Sequence, residues 1–213
     1  MIAFKQNLLF IDTETTGKPK KWNLPYSATD NWPSAVQLSW ILFDKNGFEI
    51  KRENFYIDVE DLKISSRSQK IHGISREFLT QNGQTRRQVL KKLSEDIVEF
   101  NPLIVGHFTE FDIHTLSCDF YRSDLENPFT GSQFYCTMLK SKEFNSKPEV
   151  TYLRLPELYQ FLFNENMTVF HNALYDVEAT AKCFHKIFSE GKISEDDLKT
   201  VNEDIMHKLM FEQ

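Results

Sequence analysis

The sequence predicts an α/β domain, and three observations carry that reading. Leu8-Leu9-Phe10-Ile11 is a short unbroken apolar run closed at once by Asp12, the pattern of a strand buried on both faces at the centre of a sheet. Two further strand-like runs flank Asp44-Lys45-Asn46-Gly47, a hairpin turn sequence. Downstream, a helical stripe of Val89, Leu93, Ile97 and Phe100 gives way at Pro102 to the buried run Leu103-Ile104-Val105-Gly106.

Taken in order, the first strand leads into a stretch from Lys18 to Pro33 that holds three of the seven prolines and reads as a long loop. Loops of that length in a compact domain are functional lids or disordered insertions. Val36 to Phe43 and Phe48 to Val59 follow as two strands, which makes the first three an antiparallel meander. Ser65 to Thr80, containing Ile71-His72-Gly73-Ile74-Ser75, reads as a short helix and a turn. A helix spans Gln84 to Phe100, another about Phe111 to Tyr121, and Phe134 to Met138 forms a last short strand. Pro156 suits the first turn of a helix beginning at Leu155. Asn172 can cap the next, whose Leu174, Val177, Ala181, Phe184 and Phe188 form an apolar stripe. After Gly191 the chain ends in an acidic amphipathic helix.

The bulk numbers suit a soluble protein: 213 residues, 40% hydrophobic, 26% charged. A net charge of −6 excludes indiscriminate nucleic-acid binding by a basic surface, but not an enzyme whose acids are reserved for cations. Cys118, Cys136 and Cys183 show no metal or redox spacing and read as buried thiols. No run reaches the roughly 18 apolar residues of a membrane span, and Lys5, Gln6 and Asn7 precede a run too short for a signal peptide. A cytoplasmic location without membrane contact is the expectation, and oligomeric state is not legible.

The chemistry starts at the end of the first strand. Residues i and i+2 of a strand point the same way, so Asp12 and Glu14 project together from its C-terminal end, where open α/β sheets place ligands. Two convergent acids repel unless something positive lies between them, and a hard divalent cation such as Mg²⁺ or Mn²⁺ meets that need. Asp-x-Glu also occurs at Asp58, Asp124 and Asp176, where an ordinary charged surface accounts for it; the first copy differs by its apolar strand and by the turn Thr15-Thr16-Gly17. Asp112 falls in the first turn of a helix, where it can serve a site or simply the helix dipole. Asp176 lies off its helix's apolar stripe beside Ala173 and Thr180, which fits either a ligand or an exposed acid. His171 and His107 each precede an acid by five residues, so spacing does not choose between them.

The local wording does. Phe10-Ile11-Asp12-Thr13-Glu14-Thr15-Thr16-Gly17, then Gly106-His107-x-x-x-Phe111-Asp112, then His171-x-Ala173-Leu174-x-Asp176 resembles the three ordered motifs of the DEDDh, or DnaQ-like, 3′–5′ exonuclease family, to which the proofreading subunit of bacterial DNA polymerase III belongs. His72-Gly73-Ile74-Ser75, Cys136-Thr137-Met138 and Leu155-Pro156-Glu157-Leu158 resemble its connecting segments, and the likeness covers about residues 7 to 190. It implies a ribonuclease H-like fold with a mixed five-stranded sheet, an exonuclease domain over 1–190 and a helical appendage to it over 191–213. It implies two Mg²⁺ or Mn²⁺ ions held by Asp12, Glu14, Asp112 and Asp176, with His171 as general base. The expected substrate is a nucleic-acid 3′ end, single-stranded, DNA or RNA, bound by backbone around Thr15 and Gly17 and by aromatic contacts to unstacked bases, with a polymerase or repair protein as a possible partner. The basic groups Lys18/Lys20/Lys21 and Arg86/Arg87/Lys91/Lys92 are either backbone guides or solvated faces. The chain departs from the family in two places: Phe108 stands where Asn usually follows the histidine, and the Lys18–Pro33 loop is longer than the simplest members carry.

Two other readings compete. A haloacid-dehalogenase-like phosphatase would use Asp12 as a covalent nucleophile, but such enzymes resemble Asp-x-Asp there, and Glu14 argues against it. An inactive nucleic-acid-binding module would not need four acids and a histidine.

Overall fold

The structure is a computed structural model that describes residues 4–59, 62–145, 149–169 and 171–209. Glu60, of the second Asp-x-Glu copy, and residues 210–213 of the C-terminal segment lie outside them. One mixed sheet runs through the molecule. Its strands are β1 (Leu8–Thr15), β2 (Ala35–Phe43), β3 (Glu49–Asp58), β4 (Gln84–Thr85), β5 (Leu103–Gly106) and β6 (Gln133–Cys136), in the spatial order β4-β3-β2-β1-β5-β6. β1 to β3 form the expected antiparallel meander, whereas β1 with β5, β5 with β6 and β3 with β4 pair parallel.

The helices are α1 (Ser66–His72), α2 (Arg76–Asn82), α3 (Arg86–Phe100), α4 (Thr109–Arg122), α5 (Thr137–Lys140), α6 (Leu155–Phe163), α7 (Ala173–Ser189) and α8 (Glu195–Lys208). β1 sits at the centre because Leu8 to Ile11 are fully buried between helices on both faces. Phe184 of α7 meets Phe10 with ring centroids 5.5 Å apart, which seats that helix on the central strand.

Among the described residues the sheet has six strands where five were expected. Gly83 lets the chain come so close to β3 that an added Cβ would lie 2.7 Å from the Asp58 nitrogen, and Gln84 and Thr85 therefore pair with Ile57 and Asp58. The helix expected from Gln84 accordingly starts at Arg86, with Thr85 and Gln88 forming a capping box. The stretch after α1 is not only a turn, since Ser75 caps the short helix α2. Thr137 and Met138 open α5 rather than extending β6. α8 lays Val201 and Ile205 into the main core, and its Asn202 Oδ1 accepts the Phe134 nitrogen at 2.8 Å.

The Lys18–Pro33 loop is fixed from α4. Arg122 donates to the carbonyls of Pro33 (2.8 Å), Thr29 (2.5 Å) and Trp32 (2.6 Å) and to the carboxylate of Asp119 (2.8 Å). Asp119, fully buried, also accepts from the Ser34 hydroxyl at 2.7 Å and the Ala35 nitrogen at 2.9 Å. Cys118, Cys136 and Cys183 are buried free thiols, and among the described residues no helix is long and apolar enough to cross a membrane. Removing Arg122 takes from the buried Asp119 carboxylate its nearest cation and leaves only Arg86 Nε at 3.4 Å among the ion-pair partners of the described residues, a loss of about 3 kcal/mol. Arg122→Ala is expected to lower the melting temperature and to speed tryptic cutting at Lys20 and Lys21; cutting at the wild-type rate would contradict this account of the loop.

Candidate active site

Pairing of β1 with β5 ends at Phe10 and Val105, so among the described residues the far half of β1 has no strand paired on that side. The first turn of α4 fills the gap, and its approach is set by Gly106, where an added Cβ would lie 2.9 Å from the Thr109 hydroxyl. Asp112 of that turn accepts from the Thr13 nitrogen at 3.0 Å and the Thr13 hydroxyl at 2.7 Å, both on Oδ1. Thr13 therefore holds one acid while its neighbours Asp12 and Glu14 face the crevice beside it.

The third side of the crevice is the start of α7. Gln37 lies opposite Glu14 in the β1–β2 register; its Oε1 accepts the Ala173 nitrogen at 3.2 Å and its Nε2 donates to Asn172 Oδ1 at 3.3 Å. Asn172 in turn caps the helix through the Leu174 nitrogen. Asp176, one turn in, accepts the His171 backbone nitrogen at 3.0 Å and is buried, not surface-exposed. His171 itself adopts the left-handed conformation at φ 61°, and its ring is exposed. Ligand atoms of Glu14, His171 and Asp176 all lie within 4.8 Å of one another, a set able to hold a metal ion.

Asp112, bonded to Thr13, and Asp12, the residue before Thr13 on β1, lie beside this set of three. Burial, then Asp112, Asp176 and Glu14, push the Asp12 carboxyl well above its ordinary range. Burial followed by Asp176 and Asp112 raises Glu14 to about 8. Burial also raises Asp112 to about 7 against the pull of Thr13, and Asp176 to about 6 against the backbone bonds from His171 and Asn172. All four sequence-predicted acids are thus brought together and left in want of a positive partner. Hard oxygen donors at this density suit a divalent cation.

The two histidines separate here. His107 Nδ1 lies 3.0 Å from the Thr137 hydroxyl, and burial lowers its pKa to about 4. His171 is the one whose ring reaches the carboxylates. Thr15 gives its hydroxyl to the Gly17 carbonyl at 2.8 Å, which shapes the turn, while Gly17 has open space around it. His72 and Gln37 were not among the expected site residues. His72 Nδ1 accepts the Ile74 nitrogen at 3.0 Å, so its Nε2 carries the proton and donates to the Thr15 carbonyl at 3.3 Å. Its pKa is lowered by burial and then by the nearby His171. The His72-Gly73 pair was a signal for the first; a glutamine inside the apolar run Ala35–Phe43 was the signal for the second.

No curated protein matches the chain by sequence. Among solved structures, E. coli exonuclease I in complex with a dA16 oligonucleotide superposes with a TM-score of 0.70 at 19% identity, over 91% of this chain and 42% of that one. A structure of exonuclease I described as suggesting how processivity is achieved gives 0.72 at 18% identity, with the same coverage. The zinc-bound form of the E. coli exonuclease I complex with single-stranded DNA gives 0.69 at 19%, over 92% and 42%. The chain therefore spans about two fifths of the length of the proteins it resembles in fold, and that fold is the ribonuclease H-like one. Residues 9–184 match the RNase T family, described as Exonuclease, and the chain belongs to that exonuclease family.

Proposed function

We propose that the protein is a 3′–5′ exonuclease that releases nucleoside monophosphates from single-stranded DNA or RNA ends by metal-dependent hydrolysis. The observation that carries this reading is the gathering of Glu14, Asp176 and the His171 ring within 4.8 Å of one another at the end of β1, with Asp112 bonded to Thr13 and Asp12 beside them, in a chain of the exonuclease family. Binding of oligonucleotides by the similar exonuclease I supports the substrate class. We assign the catalytic unit to residues 1–190, with α8 as an appendage of the same domain.

The four acids would hold two Mg²⁺ or Mn²⁺ ions, which when bound stabilise the attacking and leaving oxygens of an in-line displacement and acidify a bound water. Thr13 fixes the orientation of Asp112, and Gln37 fixes the helix start that carries Asp176. To His171, whose pKa is lowered by partial desolvation, we assign the taking of the attacking water's proton at a ring nitrogen. The turn from Thr15 to Gly17, buttressed by His72, offers backbone groups to the terminal nucleotide.

A 5′-labelled single strand incubated with Mg²⁺ or Mn²⁺ should yield a descending ladder, and an intact strand would refute the reading. His171→Ala should slow cleavage about 100-fold or more. His107→Ala should act mainly on stability; the reverse order would transfer the base role to His107. Because the acids' folded pKa values are raised, the stability they contribute to the metal-free fold is fully present below their ordinary range and is lost as pH climbs toward about 8, where the Glu14 proton is lost. Melting temperatures without metal should therefore fall between about pH 5 and about pH 8, and the increment from added Mn²⁺ should grow over that range. An increment independent of pH would count against cation binding by these carboxylates.

A further inference from the structure

The two departures from the exonuclease motif pattern, the long loop after β1 and Phe108, meet in space. Trp22 of the loop packs its ring centroid 5.7 Å from Phe108, 6.2 Å from Phe111, 5.9 Å from His114 and 6.3 Å from Trp32. Beneath it Trp32 and His114 stack at 4.7 Å and 17°, with the Tyr26 hydroxyl 3.1 Å from His114 Nδ1. Those lower rings are buried and need no further explanation. The indole of Trp22 does, since it is 40% exposed although rings hold it from below.

Its setting is rigid and charged. Arg122 ties the loop down, and the Asn31 amide bridges the Lys21 nitrogen and carbonyl at 2.8 Å each. Phe108 is held in the left-handed region at φ 77°, a conformation that costs a bulky residue about 1–2 kcal/mol. That conformation sets its ring at the mouth of α4, four residues before Asp112. Lys18, Lys20 and Lys21 are exposed on the same loop, in a chain that is otherwise acidic. An exposed aromatic face beside cations is the combination that binds an unstacked base and its phosphates.

We propose that Trp22 and Phe108 form a stacking platform for a base of the single strand next to the acid crevice, with Lys18, Lys20 and Lys21 following its phosphates. The platform rests on the reading of that crevice as the nuclease centre and adds a sequence-tolerant grip upstream of the cut.

The test is anisotropy of a 5′-labelled oligothymidylate bound to the full chain with Ca²⁺ present. Trp22→Ala should weaken binding roughly 5- to 150-fold, the range for one lost base stack, while Trp22→Phe keeps most of the affinity. Strands made abasic one position at a time from the 3′ end should reveal one position at which Trp22→Ala costs nothing more. Wild-type affinity in Trp22→Ala would overturn the proposal. So would a loss that no abasic position relieves, because a misfolded loop weakens every strand alike. A wild-type chain that gives this base signature yet releases no nucleotide in Mg²⁺ or Mn²⁺ would refute the cleavage reading and leave the platform standing.

Discussion

The mutual repulsion of Asp12, Glu14, Asp112 and Asp176 is the constraint around which the rest of the molecule is arranged. Each is pushed upward in pKa first by burial, and Asp12, Glu14 and Asp112 further by neighbouring acids, so the folded state carries an unfavourable cluster that a sheet alone would not keep. Three features resist the opening of the crevice. β1 is locked between β2 and β5 by a run of fully buried apolar residues. Thr13 binds Asp112 through both its nitrogen and its hydroxyl. Gln37, in register with Glu14, holds the start of α7 and with it Asp176. The core thus supplies the stability that the site spends, as is usual where strain and function coincide.

A second polar construction fixes the Lys18–Pro33 loop against α4. Asp119 and Arg122 lie on the same helix as Asp112, so the side chains that pin the Lys18–Pro33 loop are rigidly linked to one of the acids. Loop and acid therefore keep a fixed relation, and the aromatic rings carried by the loop stand at a set place relative to the chemistry. The α8 helix reaches the same region from the other side, where Lys208 pairs with Glu110 in the first turn of α4 at 2.9 Å.

Much of this was legible in the linear order because it depends on local patterns. The buried first strand, the meander around the Asp44–Gly47 turn, the stripe of α7 and its Asn172 cap are all set by periodicity and turn chemistry within a few residues. The four acids gathered at the end of β1 were legible because three motifs stood in order. What escaped depends on contacts distant in sequence. Pairing of Gln84–Thr85 with β3 requires the close approach at Gly83, 25 residues from Asp58 in the chain. The burial of Asp176 follows from where Gln37 seats its helix, and spacing within α7 gives no sign of it. Spacing was equally silent on the two histidines, which differ only because Thr137 claims one and the carboxylates face the other. The loop read as a lid or a disordered insertion turns out to be anchored, since its partner Arg122 lies about a hundred residues further along.

Proton release on cation binding tests the account most directly. With Glu14 raised to about 8, at least one carboxyl of the crevice is protonated near neutral pH, and a cation must displace that proton to bind. Calorimetric titration of Mn²⁺ into the metal-free chain at about pH 7, repeated in buffers of different ionisation enthalpy, reads the displaced protons. The account predicts a heat that varies with buffer, corresponding to release of about one proton or more per chain, and a smaller proton release in Glu14→Gln. Heats that are the same in every buffer, or no binding at all, would contradict it.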